Sequence, residues 1–312
     1  MNHYRKKHYK SFFNRDIISS YLPNKNDNLN QILLKVFYLL TIVLLLFSIC
    51  FVSSVFLKID KQESIIEDSR NIWHNYRLSS NYSDATKLDQ ISDILSTQNP
   101  DYSGWITIKN SKIDNPIYKT CNNSYYIENN QNKEPGFYGA LHFDYRCKIN
   151  ENNTDKNLII YGKNIYNGSM FGELQKLKNI DYYKNHSLID FSTKYESATY
   201  KIFAVFILNS KKEDDGGNIF NIYRKNFFNS ADFSVWINDA FERSIIDADI
   251  DVCMDDRILT LVTEDDAFED ARLVVMARKL RNGNDESVSK ARPKTNPDPK
   301  YPKKWYLARE IS

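Results

Sequence analysis

The chain has 312 residues, room for one substantial domain with appended segments. Hydrophobic residues make up 42%, ordinary for a globular core. A net charge of +2 argues against a polyanion partner, so no nucleic-acid function is expected.

The first element is membrane-like. Val36–Leu57 carries no charged residue, and a helix of that length spans the ~30 Å hydrocarbon core at ~1.5 Å per residue. Arg5, Lys6, Lys7, Lys10, Arg15, Lys25 and Lys35 precede it, against Asp16 and Asp27. Asp60, Glu63, Glu67 and Asp68 follow it, mixed with Lys58, Lys61 and Arg70. The positive-inside rule then puts residues 1–35 in the cytoplasm and the rest outside the cell membrane. The apolar run exceeds the ~7–15-residue core of a cleaved signal peptide, so it reads as a retained single-pass anchor at 36–57.

Residues 58–98 read as an extracytoplasmic helical segment, with Ile65, Ile66, Ile72, Trp73 and Tyr76, then Leu88, Ile91 and Leu95, near helical spacing. From Trp105 the pattern changes to short strands with turn punctuation. Candidates are Trp105–Ile108, Ile117–Tyr118, Ala140–Tyr145, Asn157–Tyr161, Thr199–Leu208, Asp249–Met254, Ile258–Thr263 and Leu273–Leu280. Many short strands with few helices argue a mainly β barrel or sandwich. One helix interrupts them, with Phe233, Trp236, Ile237, Ala240, Phe241 and Ile245 as its apolar stripe and Ser230 as its expected cap. From Arg281 the chain is polar and Pro-rich, and 282–312 is expected to be a disordered or extended tail.

The sequence has four cysteines, Cys50, Cys121, Cys147 and Cys253. Three follow the anchor, so at least one is unpaired. Each is read as a small hydrophobe, and Cys253 is expected on the strand neighbouring Glu264. The acidic run Glu264, Asp265, Asp266, Glu269, Asp270 has no ordered glycine-containing loop signature and is read as a solvated loop, so no metal or cofactor is expected.

Several motifs occur in one order. Asn123-Ser124-Tyr125-Tyr126-Ile127 comes first, then Gly139-Ala140-Leu141-His142-Phe143-Asp144-Tyr145-Arg146. Tyr161-Gly162-Lys163-Asn164 runs into Gly168-Ser169-Met170-Phe171, and Thr260-Leu261-Val262-Thr263-Glu264 is followed by Arg272. This set resembles the class B sortases, cysteine transpeptidases of Gram-positive cell surfaces, over about Gly104 to Leu280. The resemblance implies a sortase-like closed β-barrel at 99–281, preceded by N-terminal helices. It also implies a substrate groove that includes Asn123, Ile127, Thr263 and Asp265. Its catalytic positions fall on Lys163, Glu264 and Arg272, where the family pattern has His, Cys and Arg.

Two of those three positions lack the chemistry. The family reaction needs a thiolate nucleophile and an imidazole that protonates the leaving amine. Glu264 is a poor nucleophile toward an amide. Lys163, with an unperturbed pKa of ~10.4, stays protonated near neutral pH. The expectation is a pseudo-enzyme that binds a sorting-signal peptide, a pilin-like surface protein or an active sortase. An active transpeptidase with relocated residues and a purely structural surface protein stay open. Lys163 and Glu264 keep one plus and one minus, which predicts a salt bridge between them near Arg272. Finally, Arg292–Asn296 resembles a sorting-signal pentapeptide, which raises a pseudo-substrate in the groove as an alternative to a plain linker.

Overall fold

A computed structural model describes residues 21–78, 85–211, 219–281 and 285–310. The chain divides into two units, 1–60 and 61–312. The first unit holds most of the apolar part of helix α1 (Leu29–Leu78). Within α1 the stretch Leu29–Asn75 is long and apolar enough to cross a membrane, and its apolar window is not buried inside the protein. Asp27 accepts an ion pair from Lys35 at 2.8 Å just before the apolar run.

The second unit is built on a closed β-barrel. Its strands are β1 (Tyr102–Ile108), β2 (Asp114–Tyr118), β3 (Leu141–Phe143), β4 (Asn157–Tyr161), β5 (Leu188–Thr193), β6 (Ser197–Asn209), β8 (Ile258–Glu264) and β9 (Ala271–Lys279). Their order around the barrel is β1-β2-β3-β4-β8-β9-β6-β5. β4 and β8 run parallel, with Tyr161 opposite Val262, and β8 and β9 run antiparallel, with Glu264 opposite Arg272. These pairings bring the ends of β4, β8 and β9 together from distant parts of the chain. Near-continuous apolar runs mark strands covered on both faces: Leu273, Val274, Val275, Met276 and Ala277 of β9 are all fully buried.

The helical segment packs on the outside of β1 and β2. Trp73 of α1 stacks on Trp105 of β1, ring centroids 4.9 Å apart and planes within 6°. Leu88, Ile91 and Leu95 of α2 (Ala85–Gln98) join them over Tyr102, Tyr118 and Tyr126. A stacked pair of this kind adds about 0.5–1.5 kcal/mol beyond its buried area. Tyr76 lies outside the residues whose side chains are described.

The interrupting helix (Ser230–Arg243) buries Phe233, Trp236, Ile237 and Ala240 as its stripe predicts. Its cap is Asn229 rather than Ser230: the Asn229 side chain accepts from the Asp232 amide at 2.9 Å. The helix starts one residue earlier than the sequence reading had it, and an Asn amide oxygen serves the same role as a hydroxyl. Asp249–Met254 is not a strand. The strand there is the two-residue β7 (Ile246–Asp247), and Cys253 sits in a loop with its amide on Asp256. All four cysteines are free, and Cys147 alone is buried.

The tail also departs from expectation. Residues 285–310 carry a short helix (Glu286–Lys290), the strand β10 (Lys294–Thr295) and a final helix (Lys303–Glu310). β10 pairs antiparallel with β7, Lys294 opposite Asp247 and Thr295 opposite Ile246. Polar composition misled here because the segment is held by ion pairs and backbone hydrogen bonds rather than by an apolar face.

Candidate functional site

The ends of β4 and β8 open on a cavity of about 230 Å³. Lys163, Glu264 and Arg272 all line it, as do Asn123, Ile127 and Thr263. Lys163 gets there because β4 ends at Tyr161 and the chain turns at Gly162. A Cβ at Gly162 would collide with the side chains of Leu141 and Phe171, so only glycine lets the backbone pass there. Glu264 and Arg272 arrive as cross-strand partners at the open end of the β8–β9 hairpin.

The expected Lys163–Glu264 salt bridge is absent, because each group is tethered to backbone instead. The Lys163 ammonium donates to the Phe137 carbonyl at 2.9 Å. The Glu264 carboxylate accepts from the Asn164 amide at 2.9 Å and from the Thr263 hydroxyl at 3.4 Å. Arg272 donates to the Ala271 carbonyl at 2.9 Å. Phe137 is itself placed from α1: the buried Gln62 side chain donates to Gly139 at 3.0 Å and accepts from Tyr138 at 3.3 Å. The C-terminal part of α1 therefore holds the loop that holds Lys163.

Asp265 does not belong to the cavity. Its side chain is turned inward, pairs with Lys178 at 2.8 Å and accepts from the Ala267 amide at 2.9 Å. Asp265 follows the end of β8, and its ion pair with Lys178 holds the carboxylate inward. Its burial also corrects the picture of a fully solvated acidic loop. Among the described residues no cluster of His, Cys, Asp and Glu is placed to hold a metal ion.

Below the cavity lies a second polar centre, carried by the fully buried Asp144. It binds Arg146 through two hydrogen bonds, 2.8 and 2.6 Å, and accepts from Asn123 at 2.9 Å and Tyr161 at 3.2 Å. Burial alone would raise its carboxyl. The hydrogen bonds from Arg146 and Asn123 outweigh that and hold it at about 2. Asp144 thereby orients two cavity-lining side chains, Asn123 and Tyr161.

His142 also lines the cavity and is buried. Its Nδ1 faces the Ala140 carbonyl at 3.0 Å, and its Nε2 has no hydrogen-bond partner. Burial pushes the imidazole down from its ordinary value, so it stays neutral at neutral pH. Cys147 is not a lining residue. Its sulfur accepts from the Ile159 amide at 3.4 Å, and burial pushes the thiol up to about 11. No cysteine lines this cavity. Sequence reasoning missed Tyr161 and Tyr223 as wall residues. Tyr161 lies inside a motif already read as a strand end, whereas Tyr223 comes from a segment with no motif, pinned by Asn157, which donates to the Ile222 and Arg224 carbonyls.

Arg292–Asn296 is not in this cavity in its own chain. Arg292 donates its amide to Asp249 at 2.9 Å, and Asn296 bonds the Ile245 and Ser244 carbonyls at 2.9 and 2.7 Å. The strand edge of β7 had free backbone groups, and the segment satisfies them.

Comparison with known proteins points one way. A family model described as the sortase domain matches residues 106–280. Sortase B of Listeria monocytogenes is 29% identical over 218 residues, which is 69% of this chain and 84% of that protein. Sortase B of Staphylococcus aureus is 26% identical over 185 residues, 59% of this chain and 72% of that one. Among solved structures, a mutant form of Clostridium perfringens sortase B superposes with a TM-score of 0.59 at 28% identity, covering 69% of this chain and 97% of that one. The Staphylococcus aureus sortase B–substrate complex shares the fold, with a TM-score of 0.63 at 22% identity over 73% of this chain and all of that one.

Proposed function

We propose, for a chain that belongs to the sortase family and within it to class B, that this member is catalytically silent and uses its groove to bind a sorting-signal peptide. The peptide would be presented by a surface or pilin-like protein, or by one engaged with an active sortase. One observation carries the reading. The positions matching the family's His, Cys and Arg are Lys163, Glu264 and Arg272, all three line one cavity, and no thiol does. A lysine side chain does not replace imidazole as the group that protonates a leaving amine, and a carboxylate does not open an amide. An arginine alone polarises a carbonyl without cleaving it. In this reading Val36–Leu57 is a single-pass anchor in a Gram-positive cell envelope. The basic N-terminus stays in the cytoplasm and the barrel lies outside.

The test uses the full chain in detergent micelles with a labelled Asn-Pro-Gln-Thr-Asn peptide. Binding without cleavage, unchanged by thiol-blocking reagents, is the expected result. Cleavage that disappears in Cys121→Ser or Cys147→Ser would replace this reading by an active transpeptidase with relocated residues. No binding at all would leave a structural surface protein. The double substitution Glu264→Cys, Lys163→His should confer thiol-dependent cleavage, because it restores the family residues on the same scaffold.

A further inference from the structure

We propose that the cavity recognises the free carboxylate end of a peptide rather than an uncharged internal stretch. Lys163 and Arg272 meet the carboxylate, and Glu264 accepts the N–H of the last residue. The inference rests on the peptide-binding reading and specifies its ligand.

The argument begins with charges that do not pair. Glu264 and Arg272 face each other across β8 and β9, so an ion pair is within reach. Instead Glu264 is held by Asn164 and Thr263, and Arg272 by Ala271. Lys163 is held by Phe137. Neither Lys163 nor Arg272 forms an ion pair among the described residues. The surrounding carboxylates are engaged elsewhere: Asp265 with Lys178 at 2.8 Å, Asp144 with Arg146 at 2.6 Å, and Asp270 with Lys211 at 2.7 Å. Asp270 also feels the Arg272 charge, but Lys211 is its main partner.

The count therefore leaves the cavity with two cations and one anion. An ammonium has three donors and a guanidinium five, and the described contacts use one from each. The walls are Tyr126, Ile127, Ala140, Val262 and Tyr223. An internal peptide segment offers carbonyls and amides but no charge, and leaves the excess positive charge unanswered. A peptide's carboxylate end offers one anionic group for two cations and an adjacent N–H for the spare acceptor of Glu264, by charge-assisted hydrogen bonds. The volume agrees: about 230 Å³ falls below the ~300–1,000 Å³ of sites that enclose a drug-sized ligand. It takes the end of a chain. The reaction class that supplies such a ligand is peptide-bond hydrolysis.

The experiment compares three labelled peptides on the full chain in detergent micelles: Asn-Pro-Gln-Thr with a free carboxylate, the same peptide as its C-terminal amide, and Asn-Pro-Gln-Thr-Asn amide. The acid should bind at least about tenfold more tightly than either amide. In Arg272→Gln and Lys163→Gln that preference should fall to about threefold or less, the chain folding as before by circular dichroism. In Glu264→Gln, which removes the negative charge but keeps an acceptor, the acid should bind a few-fold more tightly and its amide unchanged. Equal binding of acid and amides by the unmodified chain would overturn carboxylate recognition while leaving the peptide-binding reading intact. An unchanged preference in both Gln substitutions would also overturn it. Failure of all three peptides to bind would overturn the inference together with the reading beneath it.

Discussion

Two arginines of one strand, Arg272 and Arg278, meet opposite fates. They stand six positions apart on β9, which strand alternation puts on the same side. Arg278 is completely buried and every one of its donors is met. Its Nε bonds the Asp251 carbonyl at 2.8 Å, and its two terminal nitrogens hold the Asp285 carboxylate at 2.7 and 3.0 Å. Ser287 and the Lys279 carbonyl take the remaining two. Arg272 lines a cavity and, among the described residues, hydrogen-bonds only a neighbouring carbonyl. The first is a clamp: it fastens the C-terminal segment to the barrel, and Arg281 adds a second fastening on Asp256 at 3.0 and 2.7 Å. In the proposed reading the second offers its remaining donors to a peptide carboxylate. A buried charge must be paired to be tolerated, whereas an unpaired one at a cavity mouth is stabilised by water until a ligand replaces it.

The comparison is broken most directly by truncating the clamp. Arg278→Ala should cost about 3–5 kcal/mol of unfolding free energy, because it strands the Asp285 carboxylate in a protein environment. A thermal melt of the full chain in detergent checks it. A loss below about 1 kcal/mol would mean that the C-terminal segment is not fastened as described.

Acid should separate the same two regions. The Arg278 hydrogen bonds hold the Asp285 carboxyl well below the usual carboxylate range, and Asp144 sits at about 2. In the folded chain both carboxyls lie below the ordinary aspartate value of about 3.9. Their stabilisation is therefore complete above about pH 4 and is lost as pH falls from there toward about 2. Denaturant midpoints across that window should fall in the unmodified chain and fall less steeply in Arg278→Ala. Identical slopes would show that Asp285 does not titrate in this window.

A smaller effect tests the last fastening point. Asn296→Ala removes one side-chain bond to the Ser244 carbonyl and should cost about 0.5–1.5 kcal/mol. Proteolysis of the tail should accelerate before the barrel's melting temperature moves. The smallest effect belongs to the cavity. Arg272→Ala should change stability by no more than about 0.5 kcal/mol, since no ion pair is lost. A penalty of 2 kcal/mol or more would make Arg272 a structural residue like Arg278.

Much of this was legible along the chain. The strand ends carrying Lys163 and Glu264 could be read because the barrel is made of short apolar runs, each closed by a motif. The substitutions at those positions were visible as letters. What the letters could not state was orientation. Asp265, one residue beyond Glu264 and past the end of β8, turns inward because Lys178, distant in sequence, pairs with it there. The tail was the larger misreading. Its composition lacks any apolar period, and the interactions that order it, Arg278 with Asp285 and Asn296 with Ser244, link residues whose pairing no local pattern announces.

The sequence by itself determined the membrane-length helix, the barrel family and the presence of Lys163 and Glu264 where the resemblance implies a histidine and a cysteine. Those follow from composition, short-range periodicity and residue identity, which are local properties. Only the tertiary structure decided that Lys163 and Glu264 do not pair with each other. The Phe137 carbonyl and the Asn164 amide lie within hydrogen-bond reach of them and satisfy each charge separately. Whether two charges pair depends on which competing partners the fold brings closer, and that information lies in three dimensions.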